Sequence, residues 1–220
     1  MSFDINQWMT ELTQALRHTF GTRLQAVGIQ GSFARGEESP SSDIDAVVIL
    51  DHITPQDIAA YKNLLTKLPA AQHPVCGFFG GKEDLKNWSR AELFQFTQDT
   101  RLVYGTLEGI LPPPSRQDAL LAAKTGAGTV YHALVHTWIH GELSAPFIKE
   151  LCKASFFMLQ AAHFIRTGHY PHSKKALLEK DSNPAEQAIL QAALSHELPQ
   201  NIQDLAQQLL TCSQDILRLA

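Results

Sequence analysis

Apolar residues open the chain at Ile5, Trp8, Met9, Leu12, Leu16 and Phe20, a spacing that gathers them on one face of a helix. Asp4 is placed to cap its start and Gly21 its end. The period then shortens. Residues 24–30, with Ala26, Val27 and Ile29, read as a strand, and residues 43–50 as a second, more deeply buried one. Thr54-Pro55 has the order of a helix cap and first-turn proline, and a helix is expected from there to about Leu68. Residues 73–80 form a third strand, ended by Gly80-Gly81. Residues 83–96 form a helix marked by Leu85, Trp88, Leu93 and Phe96, and residues 100–104 a short strand.

The segment 105–115, with Pro112-Pro113-Pro114, is the clearest linker, stiffened by its prolines. Beyond it every pattern is helical, over roughly 116–141, 144–167, 173–180, 184–197 and 200–219. Gly141, Gly168 and Pro199 punctuate the run, and Ser182-Asn183-Pro184 is a further start signal. No internal repeat or low-complexity tract stands out. The pattern predicts an α/β unit over 1–111 and a helical bundle over 112–220, with the active site expected in a cleft between them.

At 220 residues, 44% of them hydrophobic, the chain can fill one large core or two smaller ones. A net charge of −4 argues against a broad grip on nucleic acid, although a local basic pocket would suffice for a triphosphate. Cys76, Cys152 and Cys212 are scattered with no metal-site or disulfide spacing, as expected of buried thiols in a reducing compartment. There is no apolar run long enough for a membrane span and no basic-then-apolar leader, so a cytoplasmic protein without membrane contact is expected.

The candidate chemistry is concentrated early. Gly31-Ser32 stands at the exit of the first strand, and ten residues later Asp43-Ile44-Asp45 heads the second. Carboxylates at i and i+2 of a strand share a face and can grip one divalent cation. A Gly-Ser turn offers close backbone approach and N–H donors to phosphate oxygens. Together they suit chemistry on a nucleoside triphosphate.

This combination resembles the signature of the DNA polymerase beta-like nucleotidyltransferase superfamily, Gly-Ser followed by Asp-x-Asp. The order of parts is similar to aminoglycoside nucleotidyltransferases, which join a minimal domain to a helical bundle. The resemblance implies an α+β domain, a mixed sheet flanked by helices, followed by an all-α bundle. It also implies Mg²⁺-dependent transfer of AMP from ATP to a hydroxyl of a small-molecule acceptor, with release of pyrophosphate. Asp43 and Asp45 would hold the metal, and Gly31 and Ser32 the terminal phosphates. Arg35 would add a charge-assisted contact, or instead pair with Glu37 or Glu38. Lys153, one turn from Lys149 and Glu150, looks like the bundle lysine that reaches the triphosphate in related enzymes; a solvated charged face is the alternative.

The family's third carboxylate has no counterpart in strand 73–80. Glu83, Asp84, Asp99, Glu142 and Glu150 are the substitutes, and without one the domain could bind nucleotide with little turnover. His132, His136 and His140 form a helical stripe about 12 Å long, too long for one ion, and read as packing, oligomer or substrate contacts. Arg166 and His172 have the spacing of the arginine–histidine pair of HEPN ribonucleases, but Gly168 and Pro171 break the helix there. A homodimer through the apolar helical half is a further expectation.

Overall fold

All but Ile5 of the apolar positions that predict the first helix are buried in α1 (Ile5–Phe20), whose Asp4 cap accepts hydrogen bonds from the N–H groups of Asn6 and Gln7. The helix covers a mixed sheet of four strands in the order β3-β2-β1-β4. These are β1 (Leu24–Gln30), β2 (Ile44–Leu50), β3 (Val75–Gly81) and β4 (Arg101–Gly105). β1 runs antiparallel to β2 and β4, whereas β2 and β3 are parallel. A parallel pair needs a crossover, and α3 (Pro55–Leu65) lies between them in sequence. In central β2 every residue except Asp45 is buried.

The computed structural model describes residues 3–68, 70 and 72–220. Their contacts define two compact units, Met1–Ser89 with Asp99–Pro113, and Arg90–Gln98 with Pro114–Ala220. The helix expected over 83–96 is two helices. α4 (Lys82–Lys86) stops at Asn87, whose N–H bonds back to Asp84, and α5 (Arg90–Asp99) starts afresh. Residues Arg90–Gln98 belong to the second unit. Arg90 donates through two nitrogens to the Asp118 carboxylate, at 2.8 and 2.5 Å, and Phe94 packs against Phe164 and Tyr170.

The second unit is helical throughout: α6 (Arg116–His140), α7 (Ala145–Thr167), α8 (Lys174–Lys180), α9 (Pro184–Leu194) and α10 (Ile202–Leu217). Gly168 ends α7 in the left-handed conformation. α9 ends three residues short of its expected limit, where the buried Lys149 ammonium collects the carbonyls of Ala192, Ser195 and Glu197. Free C-terminal carbonyls favour such a cation. Among the described residues no helix is long and apolar enough to cross a membrane.

One ion-pair cluster fastens the first unit around the start of α3. Arg23 donates to both oxygens of Asp57, at 2.7 and 3.0 Å, to Asp51 at 3.1 Å and to the His52 carbonyl at 2.8 Å. Asp57 also completes a capping box with Thr54. The Arg23 hydrogen bonds hold the Asp57 carboxyl well below the usual carboxylate range. Asp57→Ala is expected to lower the unfolding free energy by about 2 kcal/mol at neutral pH, in urea denaturation. Because the group is depressed, its stabilisation is present above the ordinary carboxylate pKa. The gap between variant and wild type should therefore shrink below about pH 4.

Candidate active site

Gly31 follows β1 directly, at φ +69°, and a Cβ built on it would lie 1.7 Å from Oδ2 of Asp45 and 2.7 Å from its Cγ. The backbone at Gly31 therefore lies against the Asp45 carboxylate with no room for a side chain. Gly31-Ser32 is not a bare turn: it opens a short helix, α2 (Gly31–Arg35), whose N-terminus has no side-chain cap. The Ser32 hydroxyl has no hydrogen-bond partner among the described residues. Uncapped N–H groups and an unused hydroxyl form an anion-receptive edge beside a carboxylate.

Sheet register fixes the rest. Gln30 lies opposite Asp45 on one side, and Cys76 opposite it on the other. β3 presses close because Gly77, at φ +103°, has no Cβ; one there would fall 2.2 Å from the Ala46 carbonyl oxygen. Asp43 sits one residue ahead of β2 and is exposed. The segment leading to it is tied towards β3: His73 Nδ1 donates to the Ser42 carbonyl at 2.8 Å, and the Ile44 N–H to that of Pro74 at 2.8 Å. A carbonyl can only accept, so His73 carries its proton on Nδ1.

Burial pushes Asp45 above the usual carboxylate range; the Arg35 charge opposes this and the Asp43 charge adds to it. The exposed Cys76 thiol points at Asp43, Sγ to Oδ2 3.8 Å. Desolvation and both carboxylates push its pKa up, favouring the neutral thiol. Arg35 Nε pairs with Glu37 at 3.2 Å, so the ion pair considered as its alternative role exists. A cavity of about 460 Å³ lined by Gln14, Arg17, His18, Gly21, Thr22 and Tyr104 borders the start of β1, the end opposite Gly31.

Residues 9–96 match the family model described as "Nucleotidyltransferase domain". This segment is a nucleotidyltransferase domain of the DNA polymerase beta-like superfamily. No curated protein sequence matches the chain. Among solved structures, the spectinomycin adenyltransferase AAD(9) from Enterococcus faecialis, crystallised with ATP and spectinomycin, resembles it in fold. The TM-score is 0.62 at 13% identity, over 97% of this chain and 99% of that one.

The nucleotidyltransferase domain thus brings Gly31, Ser32, Arg35, Asp43 and Asp45 to one end of the sheet. Lys153 lies on α7 of the helical unit, exposed, with its ammonium 2.8 Å from Glu150. Of the substitute acids, Glu83 pairs with Lys86 at 2.8 Å, and Glu150 is the partner of Lys153. Among the described residues no group of three or more His, Cys, Asp or Glu side chains is set to hold a metal. Two carboxylates do fit Mg²⁺, which takes one or two protein carboxylates and fills its remaining positions with water and substrate phosphates. Sequence reasoning missed Cys76 as the neighbour of the pair; the signal was Gly77, a glycine inside a strand, which marks close backbone approach.

Gly31→Ala should cost about 2 kcal/mol or more in thermal or urea unfolding, since the methyl group displaces Asp45. Gly36→Ala is the control. Gly36 has φ +67° but open space around it, so only the left-handed backbone penalty of about 1 kcal/mol applies.

Proposed function

We propose that this protein is an enzyme that transfers a nucleoside monophosphate, AMP from ATP, to a hydroxyl group of a small-molecule acceptor and releases pyrophosphate. The observation that carries this reading is the contact of the Gly31 backbone with the Asp45 carboxylate inside a nucleotidyltransferase domain. Likeness of fold to an adenyltransferase crystallised with ATP and spectinomycin supports a small acceptor.

Asp43 and Asp45 would hold Mg²⁺, which when bound neutralises phosphate charge and makes the α-phosphorus more electrophilic. The chain's own groups position the substrate. The N–H groups at the start of α2 and the Ser32 hydroxyl receive the terminal phosphates, orienting the leaving group for in-line displacement. Arg35 counters the charge of the Asp pair and of the triphosphate. Lys153, whose ammonium pairs with Glu150, is the residue that the family resemblance would assign to the triphosphate. In the reaction the acceptor oxygen bonds to the α-phosphorus, the bond to the β-phosphate oxygen breaks, and the hydroxyl proton leaves to a base or water.

Cys76 favours a second reading. A neutral thiol stands beside the Asp pair on β3, where no carboxylate is available, and a domain so built can bind nucleotide with little turnover.

Pyrophosphate release from ATP and Mg²⁺ across a panel of hydroxylated acceptors tests the choice. On the first reading, Asp43→Asn and Asp45→Asn each reduce release by more than about a hundredfold. Lys153→Ala raises the KM for ATP, and His172→Ala changes nothing. On the second, calorimetry detects Mg-ATP binding that Asp45→Asn removes, no acceptor yields pyrophosphate, and Cys76→Asp creates turnover. RNA cleavage lost in His172→Ala but kept in Asp43→Asn would reject both. The geometry disfavours that outcome, because Arg166 donates through two nitrogens to Glu186 within the bundle.

A further inference from the structure

The outer face of α6 carries three imidazoles that nucleotidyl transfer does not use. Val130 and Leu134 hold the helix to the core of the helical unit, whereas His132, His136 and His140 are exposed. Residues four apart stand one above the other on a helix. The ring centroids of His132 and His136 are 5.8 Å apart, and those of His136 and His140 4.9 Å. None of these rings has a hydrogen-bond or ion-pair partner among the described residues. The other basic residues of α6, Arg116 and Lys124, lie two turns or more before His132. Core packing thus fixes the backbone beneath a row of ring nitrogens that the protein leaves unused.

A transition-metal ion holds an imidazole nitrogen at about 2.0–2.1 Å, so two nitrogens on one ion stand no more than about 4 Å apart. Ring nitrogens lie outside the centroid. Centroids 4.9 Å apart, in rings inclined at 53°, can therefore each turn a nitrogen towards a shared ion with the backbone unmoved. The rings of His132 and His136 are farther apart and, at 29°, closer to face-to-face, so both must turn further. His132 and His140 are separated by about 12 Å of helix, which keeps all three off one ion. The last turn of α6 contains His140, and the carbonyls that end a helix favour a cation there. Distance, ring inclination and helix polarity all select His136 with His140.

We propose that His136 and His140 chelate one late first-row transition-metal ion, Cu²⁺, Ni²⁺ or Zn²⁺, on the surface of the helical unit, with water or an outside ligand in its remaining positions. His136 belongs to both neighbouring pairs, so the stripe takes one chelated ion rather than two. Ligand chemistry separates this site from Asp43 and Asp45. Imidazole suits the late transition metals, whereas Mg²⁺ keeps to oxygen donors. Because unfolding parts the two rings, an ion bound to both stabilises the folded helix.

The test is calorimetric titration of the full chain with Cu²⁺ in excess Mg²⁺, at about pH 7.5, where an ordinary imidazole is neutral. All three histidines are exposed, so replacing them removes no core packing. His136→Ala and His140→Ala should each weaken binding about tenfold or more, because the second ligand is no longer tethered beside the first. His132→Ala should bind as the wild type does. Electron paramagnetic resonance of the Cu²⁺-loaded wild type should show coupling to two imidazole nitrogens, and His136→Ala to one. Ni²⁺ should raise the unfolding midpoint of the wild type and of His132→Ala, but not of His136→Ala. Unchanged affinity in His136→Ala, a loss in His132→Ala as large as that in His140→Ala, or a single coupled nitrogen in the wild type overturns the proposal.

Discussion

The contact of the Gly31 backbone with the Asp45 carboxylate is the constraint around which the first unit is arranged. It needs β1 and β2 antiparallel, with Gln30 opposite Asp45, so that the chain leaves β1 where β2 begins. It needs a left-handed backbone at residue 31, which only glycine adopts without strain. It also needs Asp45 to tolerate partial burial, which raises its proton affinity; the nearby Arg35 charge limits that rise. Shifting β1 by one residue would exchange the faces its side chains occupy and carry Gly31 away from the carboxylate. Fold and site therefore share one register.

The sequence made much of this unit legible because its signals are local. Helical spacing in α1, the Thr54-Pro55 start of α3 and the apolar run of β2 each state their structure within a few residues. The four-strand mixed sheet followed by helices agrees with the expected fold class. What it could not state depended on partners far along the chain. Nothing near residues 83–96 announces that Arg90 will pair with Asp118, or that α5 will pack in the helical unit. The Asp pair was visible as a motif, whereas Cys76 became its neighbour only through the parallel pairing of β2 with β3.

The helical unit shows the same limit with charges. Lys149 and Lys153 lie one turn apart with similar surroundings in sequence, yet Lys149 is buried on the last carbonyls of α9 while Lys153 faces solvent beside Glu150. Arg166 and His172 had motif spacing, but the guanidinium is committed to Glu186. The stripe of His132, His136 and His140 is exposed, with the centroids of successive rings 5.8 and 4.9 Å apart. Spacing places side chains on a face, and only the tertiary partner decides what each does there.

A pair of carboxylates joined by a thiol, rather than by a third carboxylate, has a consequence for how a nucleotide would load. A neutral thiol adds little to a Mg²⁺ site, because the ion prefers hard oxygen donors and dehydrates reluctantly. On the proposed reading, the protein alone supplies too few ligands to retain the ion, and the phosphates must complete its shell. Metal and triphosphate then bind as one unit, each strengthening the other through the reciprocity that binding equilibria require. The N–H edge at α2 gains from the same arrangement. It would receive phosphates whose excess charge is already partly neutralised, so the half-buried Asp45 would not face an uncompensated anion across Gly31.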